Sequence, residues 1–158
     1  MDETLRHLHV WPVWKRLRRL PVSAVCEDSA TATRVREFCQ GLAYDLGRSC
    51  QVAEETWPLS ELRMPQLRSI AADEAAQAGL IIISVHHGQS LPEEMQDWIE
   101  LWLKRRNKHP IVLLALLDPV YEGDSTSIAT YLKRVATQAD IEFVAKSDET
   151  PEQVAVSA

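Results

Sequence analysis

Cysteine, glycine and long apolar runs are all scarce in this sequence, and each scarcity excludes something. Its 158 residues include 3 cysteines, Cys26, Cys39 and Cys50. That odd count, without paired metal spacing, points to reduced thiols in a cytoplasmic setting. With only 5 glycines, no G-x-G-x-x-G follows the first strand and no Gly-rich loop closes on Gly-Lys-Ser/Thr. A G-x-S-x-G elbow is missing too, so the usual signatures of nucleotide binding and serine hydrolysis are absent. The longest apolar strings are Gly79–Ile83 and Ile111–Leu117, far short of the ~20 residues of a membrane span. Asp2 and Glu3 open the chain and lead into no apolar stretch, so no secretory signal is expected.

What is present is the composition of one globular domain, 46% hydrophobic and 25% charged, which excludes disorder, collagen and coiled coil. Net charge is −6 but unevenly spread. Residues 1–20 carry five Lys and Arg against Asp2 and Glu3, so the rest of the chain is strongly acidic. The basic stretch, with Trp11 and Trp14 between its bases, is read as an N-terminal arm over residues 1–21, ahead of one domain over 22–158. Such an arm suits nucleic acid, anionic lipid or a protein partner. The favoured reading is a short helix between Pro12 and Pro21 that packs its tryptophans on the domain while its bases stay solvated. The acidic body argues against a dedicated nucleic-acid binder.

From Val22 onward the rhythm is strand, helix, strand, helix. Val22–Cys26 is a short β-rich run. Val35, Phe38, Cys39, Leu42 and Leu46 then recur at helical spacing, with Ser29 and Thr31 as capping candidates and Gly47 as the stop. Ser49–Glu54 is a weaker strand, and Thr56–Met64 reads as irregular. In that segment Trp57 either lids the strand ends or covers the sheet edge. A helix starts at Pro65 and closes at Gly79. Leu80–Ile83 and Ile111–Leu117 lack polar alternation, as expected of strands buried on both faces. Between them Pro92 opens a helix with acids at its start, bases at its end and Met95, Trp98, Ile99 and Trp102 on one stripe. Those tryptophans fit core packing or a binding platform. A helix through Ile128, Leu132 and Val135 precedes a last strand, Ile141–Ala145, and a final helix after it is left open.

Alternation of this kind implies parallel pairing through right-handed crossovers. The expected fold is α/β: a three-layer, doubly wound parallel sheet of five strands in the flavodoxin-like order 2-1-3-4-5. In such sheets ligands bind beyond the carboxyl ends of the strands, where strand order reverses. Strand ends would deliver Glu27, Asp28 and Ser29, then Ser84, His86, His87 and Gly88, with Asp118 and Lys146 nearby. Glu27, Asp28, Ser84 and His86 are the catalytic candidates; Ser29, His87, Gly88, Asp118 and Lys146 are ligand-binding candidates. Carboxylates beside an imidazole can run acid–base chemistry or hold a cation. Glu27 and Asp28 would then be the metal ligands and Mg²⁺ the cofactor. Cys26, followed by two acids, makes a poor thiolate.

The acidic pair after strand one and the lysine in Phe143-Val144-Ala145-Lys146-Ser147 resemble the response-regulator receiver domain over Val22 to about Gln153. Where the receiver's phosphorylated aspartate would end strand three, this sequence has Ser84, and the hydroxyl residue that would end strand four is absent. Phosphorelay is therefore not implied. Gln77–Ser84, a Trp-bearing helix and Ile111–Pro119 are also similar to TIR and SEFIR domains. The glutamate that NAD-cleaving members place four residues after a tryptophan is here Trp102, after Trp98. The whole pattern, with Ser84-x-His86 and Leu91-Pro92, looks like small bacterial proteins of unknown function. The resemblance implies a degenerate receiver-like or TIR-like signalling and interaction module, cytoplasmic and bacterial, with a protein partner and a homo-oligomer as an option. The alternative is a small hydrolase or transferase using the acidic/His cluster between strands one and three, with Mg²⁺.

Overall fold

Two runs without polar residues, Leu80–Ile83 and Val112–Leu117, must be buried on both faces, and the rest of the chain is arranged around them. In the computed structural model, which describes residues 5–86, 90–118 and 127–147, they form β3 (Leu80–Ser84) and β4 (Val112–Leu117). β1 (Arg19–Cys26), β2 (Gln51–Pro58) and β5 (Glu142–Ser147) complete one sheet in the order β2-β1-β3-β4-β5. Every pairing is parallel. This is the doubly wound, flavodoxin-like arrangement that the apolar runs imply.

Period-two alternation splits the core in two. One face takes Leu20, Val22, Ala24, Leu80, Ile82, Val112 and Leu114. It lies under α1 (Trp11–Arg16) and α2 (Ser29–Leu46). The other takes Val25, Ile81, Ile83, Leu113 and Ala115. It lies under α4 (Pro65–Gln77), α5 (Glu93–Arg105) and α6 (Ser127–Ala139), with α3 (Leu59–Leu62) a single turn after β2. On α4 the alanines Ala71, Ala72, Ala75 and Ala76 are all buried. Their small side chains leave room for Trp98 and Trp102 of α5, which are fully buried and meet edge to face at 6.0 Å. The core-packing account of those tryptophans holds.

Several boundaries differ from the sequence reading. β1 begins at Arg19, so the division at residue 21 falls inside a strand. Pro21 is accommodated because β1 pairs with β3 only from Val22. Ahead of it, Leu5 and Trp14 are buried in the core under the α1–α2 layer, while Lys15 and Arg16 stay exposed. β2 runs on through Glu55 to Pro58, since an outer strand tolerates polar residues that a central one does not. Trp57 therefore lies in the edge strand opposite Val25, its indole N–H donating to Glu74 Oε1 at 2.8 Å.

Two glycines are required for different reasons. Gly47, at φ +84°, ends α2 in a conformation L side chains avoid. Gly79 has no such φ; a Cβ there would stand 2.8 Å from Leu20 Cδ1, so it permits close approach of β3's entry to β1. Among the described residues no helix is long and apolar enough to cross a membrane. A final helix after β5 would lie outside the described residues.

Candidate functional site

The carboxyl end of β1 passes directly into α2, and Asp28 makes the joint. Its backbone is extended, and its Oδ1 accepts the Thr31 N–H at 2.9 Å. Thr31 Oγ1 accepts in turn from the N–H groups of Asp28 and Glu27, each at 2.9 Å. This is a reciprocal capping box. The sequence reading offered Ser29 and Thr31 as caps; the cap is Asp28, with Thr31 as its partner, because an ionised carboxylate suits the positive end of a helix better than a hydroxyl. Ser29 is merely the exposed first residue of α2.

The end of β3 is pinned to the same turn. Ser84 is fully buried, and its hydroxyl donates to the Thr31 carbonyl at 2.8 Å. His86 follows two residues on. Its main-chain N–H donates to Glu27 Oε1 at 2.7 Å. Its ring Nε2 lies 2.8 Å from Asp28 Oδ2, and Nδ1 lies 3.1 Å from Asp118 Oδ2 at the end of β4. Asp118 also accepts from Arg34 Nη2, reaching over from α2. One chain of contacts thus runs Asp28, His86, Asp118, Arg34 across the ends of β1, β3 and β4.

Both ring nitrogens of His86 face carboxylate oxygens. A neutral imidazole has one N–H and satisfies one of them; imidazolium satisfies both. Its pKa is accordingly raised above the ordinary 6.5, first by the hydrogen bond to Asp28 and then, against desolvation, by Asp118. The Asp28 carboxyl is lowered from 3.8 to about 2, chiefly by the Thr31 N–H and then by His86. Nearby, burial and then the Asp28 charge push the Cys26 thiol to about 11, which keeps it protonated and unreactive.

The sequence candidates therefore separate. Glu27, Asp28, His86 and Asp118 come together within hydrogen-bonding distance. Ser84 is present beneath them but buried, with its hydroxyl engaged. Lys146, on β5, sits 5.6 Å over the Phe38 ring on the α2 side. His87 and Gly88 lie outside the described residues. Arg34 escaped the sequence reading. Its signal was its spacing: three residues after Thr31, it shares the helix face that looks onto the strand ends.

Among the described residues no group of three or more His, Cys, Asp or Glu side chains is arranged to hold a metal ion. Each crevice carboxylate already accepts from a protein donor. No protein-family model matches the chain and no curated protein matches its sequence.

Proposed function

We propose that this chain is a degenerate receiver-like or TIR-like signalling module of a bacterial cytoplasm, acting by binding a protein partner and not by turnover. The supporting observation is Ser84. At the end of β3, where a phosphoacceptor carboxylate would be needed, it is a buried serine whose hydroxyl is committed to the Thr31 carbonyl. Donors of the chain itself already face these carboxylates: His86 and Arg34 meet Asp28 and Asp118, and the His86 main-chain N–H meets Glu27. A site so arranged holds one geometry without an added ion or phosphate, which suits a fixed binding surface.

One observation favours the second reading, a small hydrolase or transferase with Mg²⁺ at Glu27 and Asp28. An imidazole bridging two carboxylates with a raised pKa is equipped for proton transfer near neutral pH.

The test combines two measurements on the intact chain. Incubation with acetyl phosphate and Mg²⁺, followed by intact-mass spectrometry, should leave the protein unmodified, and Mg²⁺ alone should leave its melting curve in place. A phosphate adduct on Glu27 or Asp28 would overturn the proposal. Stabilisation by Mg²⁺ that Asp28→Asn abolishes would transfer the assignment to the enzyme reading.

A further inference from the structure

A pocket of about 310 Å³ lies between the N-terminal segment and α2 and shares no residue with the Asp28–His86–Asp118–Arg34 chain. Leu5 and Leu42, both buried, contribute apolar lining. Trp11 and Phe38, both half-buried, add two aromatic rings. Its charged lining comes from Glu37 and Asp45, two helical turns apart on α2, and from Lys146.

Asp45 is the telling residue. Its side chain is only 6% exposed, yet among the described residues its carboxylate has a single partner, Arg6 Nη2 on Oδ1 at 2.8 Å. A carboxylate that far from water requires a cation and has capacity for further donors. Arg6 comes from the short 3-10 turn Leu5–His7 and is itself 46% exposed. The aromatic lining draws cations as well, since the Lys146 ammonium stands over the Phe38 ring at 5.6 Å. A buried carboxylate and aromatic faces around one apolar recess are the two halves of organic-cation recognition, and each half is now answered by a cation of the chain itself.

We propose that this pocket binds an organic cation, an ammonium or guanidinium carried on an apolar body, with Asp45 taking the charge and Trp11 and Phe38 the body. The volume admits one small molecule or one side chain. A bare metal ion is the wrong ligand, because aromatic walls cannot replace its lost water. The proposal is independent of the crevice reading.

Two sources share this chemistry, a free amine and a lysine side chain of another polypeptide, and the experiment has an arm for each. Phenethylamine and an acetylated, amidated lysine tripeptide are titrated separately into the full chain, following the indole N–H resonance of Trp11 by NMR, assigned with Trp11→Phe. At least one should shift it saturably, and the tighter of the two identifies the source. The neutral isostere 2-phenylethanol should bind about tenfold more weakly or not at all. Arg6→Gln removes the resident competitor and should tighten amine binding several-fold, which a purely structural Arg6–Asp45 staple does not predict. Asp45→Asn should lose about tenfold or more, and where that variant fails to fold the amine–alcohol comparison and Arg6→Gln carry the test. Equal response to amine and alcohol, no saturable shift with either cation, or weaker binding by Arg6→Gln would each overturn the proposal.

Discussion

Asp28 has two roles in the structure, and two substitutions separate them. Its Oδ1 caps α2, and its Oδ2 faces His86. Asparagine keeps an acceptor for the Thr31 N–H and loses the charge; alanine loses both. A capping side chain contributes about 1 kcal/mol, within a range of about 0.5–2. The ion pair is worth less, because the Asp28 and His86 side chains are 49% and 41% exposed; such pairs give about 0–1 kcal/mol. For a chain of this size each kcal/mol moves Tm by about 2–4 °C. Asp28→Ala should therefore lower Tm by about 2–4 °C through the lost cap at any pH where the carboxylate is ionised, and by up to about 4 °C more where His86 is charged. Asp28→Asn should cost up to about 4 °C at about pH 5.5, where His86 is charged, and less at alkaline pH, once the raised His86 pKa has been passed and only the lost charge at the helix start remains. Thermal unfolding followed by circular dichroism at both pH values measures this directly. Equal losses for Asn and Ala would show that the cap is not what Asp28 supplies. An Asn penalty that persists unchanged at the higher pH would show that the His86 charge is not its partner.

Stability of the wild type should fall on both sides of a plateau. His86, with its raised pKa, contributes fully below about pH 6.5, and that contribution is lost as pH rises through the raised value. Asp28, lowered to about 2, contributes above about pH 4 and loses its share as pH falls from 3.8 towards 2; a His86→Gln variant, compared by urea unfolding across pH, should lack the alkaline limb. Gly79→Ala puts a Cβ 2.8 Å from Leu20 Cδ1 and 3.6 Å from Trp14 Nε1, both on buried side chains. It should destabilise by about 1–3 kcal/mol, with Leu20→Val recovering part of the loss; strictly additive penalties in that double-mutant cycle would remove the clash as the cause. Cys26, Cys39 and Cys50 are buried, with thiol pKa values raised by burial. A chromogenic disulfide reagent at about pH 8 should label all three only after guanidinium unfolding, and rapid labelling of the native protein would contradict that.

The fold was legible because its strongest signals are of the kind a sequence carries openly. Leu80–Ile83 and Ile111–Leu117 announce central strands by lacking polar residues, and the intervening helices force parallel crossovers. What escaped was governed by neighbours in space. Arg19 and Pro21 look unlike strand residues until β2 alone is seen to flank them. Glu55 and Thr56 look like a loop until they lie on an outer edge. The same division applies at the crevice. Topology delivers Glu27, Asp28, His86 and Asp118 to one end of the sheet, so their meeting could be read from strand ends. Arg34 could not, because a long side chain crossing from a helix to a strand end depends on rotamer and packing. Nor was the capping role of Asp28 visible, since Ser29 and Thr31 carry the same local signal.

That capping role bears on the choice between the two functional readings. Asp28 Oδ1 is held by the Thr31 N–H and Oδ2 by His86; Glu27 Oε1 is held by the His86 N–H; Asp118 is held by His86 and Arg34. A divalent cation drawn to Glu27 and Asp28 would have to share Asp28 Oδ2 with the imidazole, whose positive charge repels it, since surrendering Oδ1 would uncap α2. Imidazolium and metal are then alternative occupants of one position, and the first is built into the chain. It arrives with β3 at no cost in association entropy, whereas Mg²⁺ must shed water and be drawn from solution. Where both compete for one carboxylate oxygen, the resident cation holds the advantage whenever His86 is protonated. For that reason the interaction-module reading is preferred here, and a metal titration of the unmodified chain discriminates it from the enzyme reading.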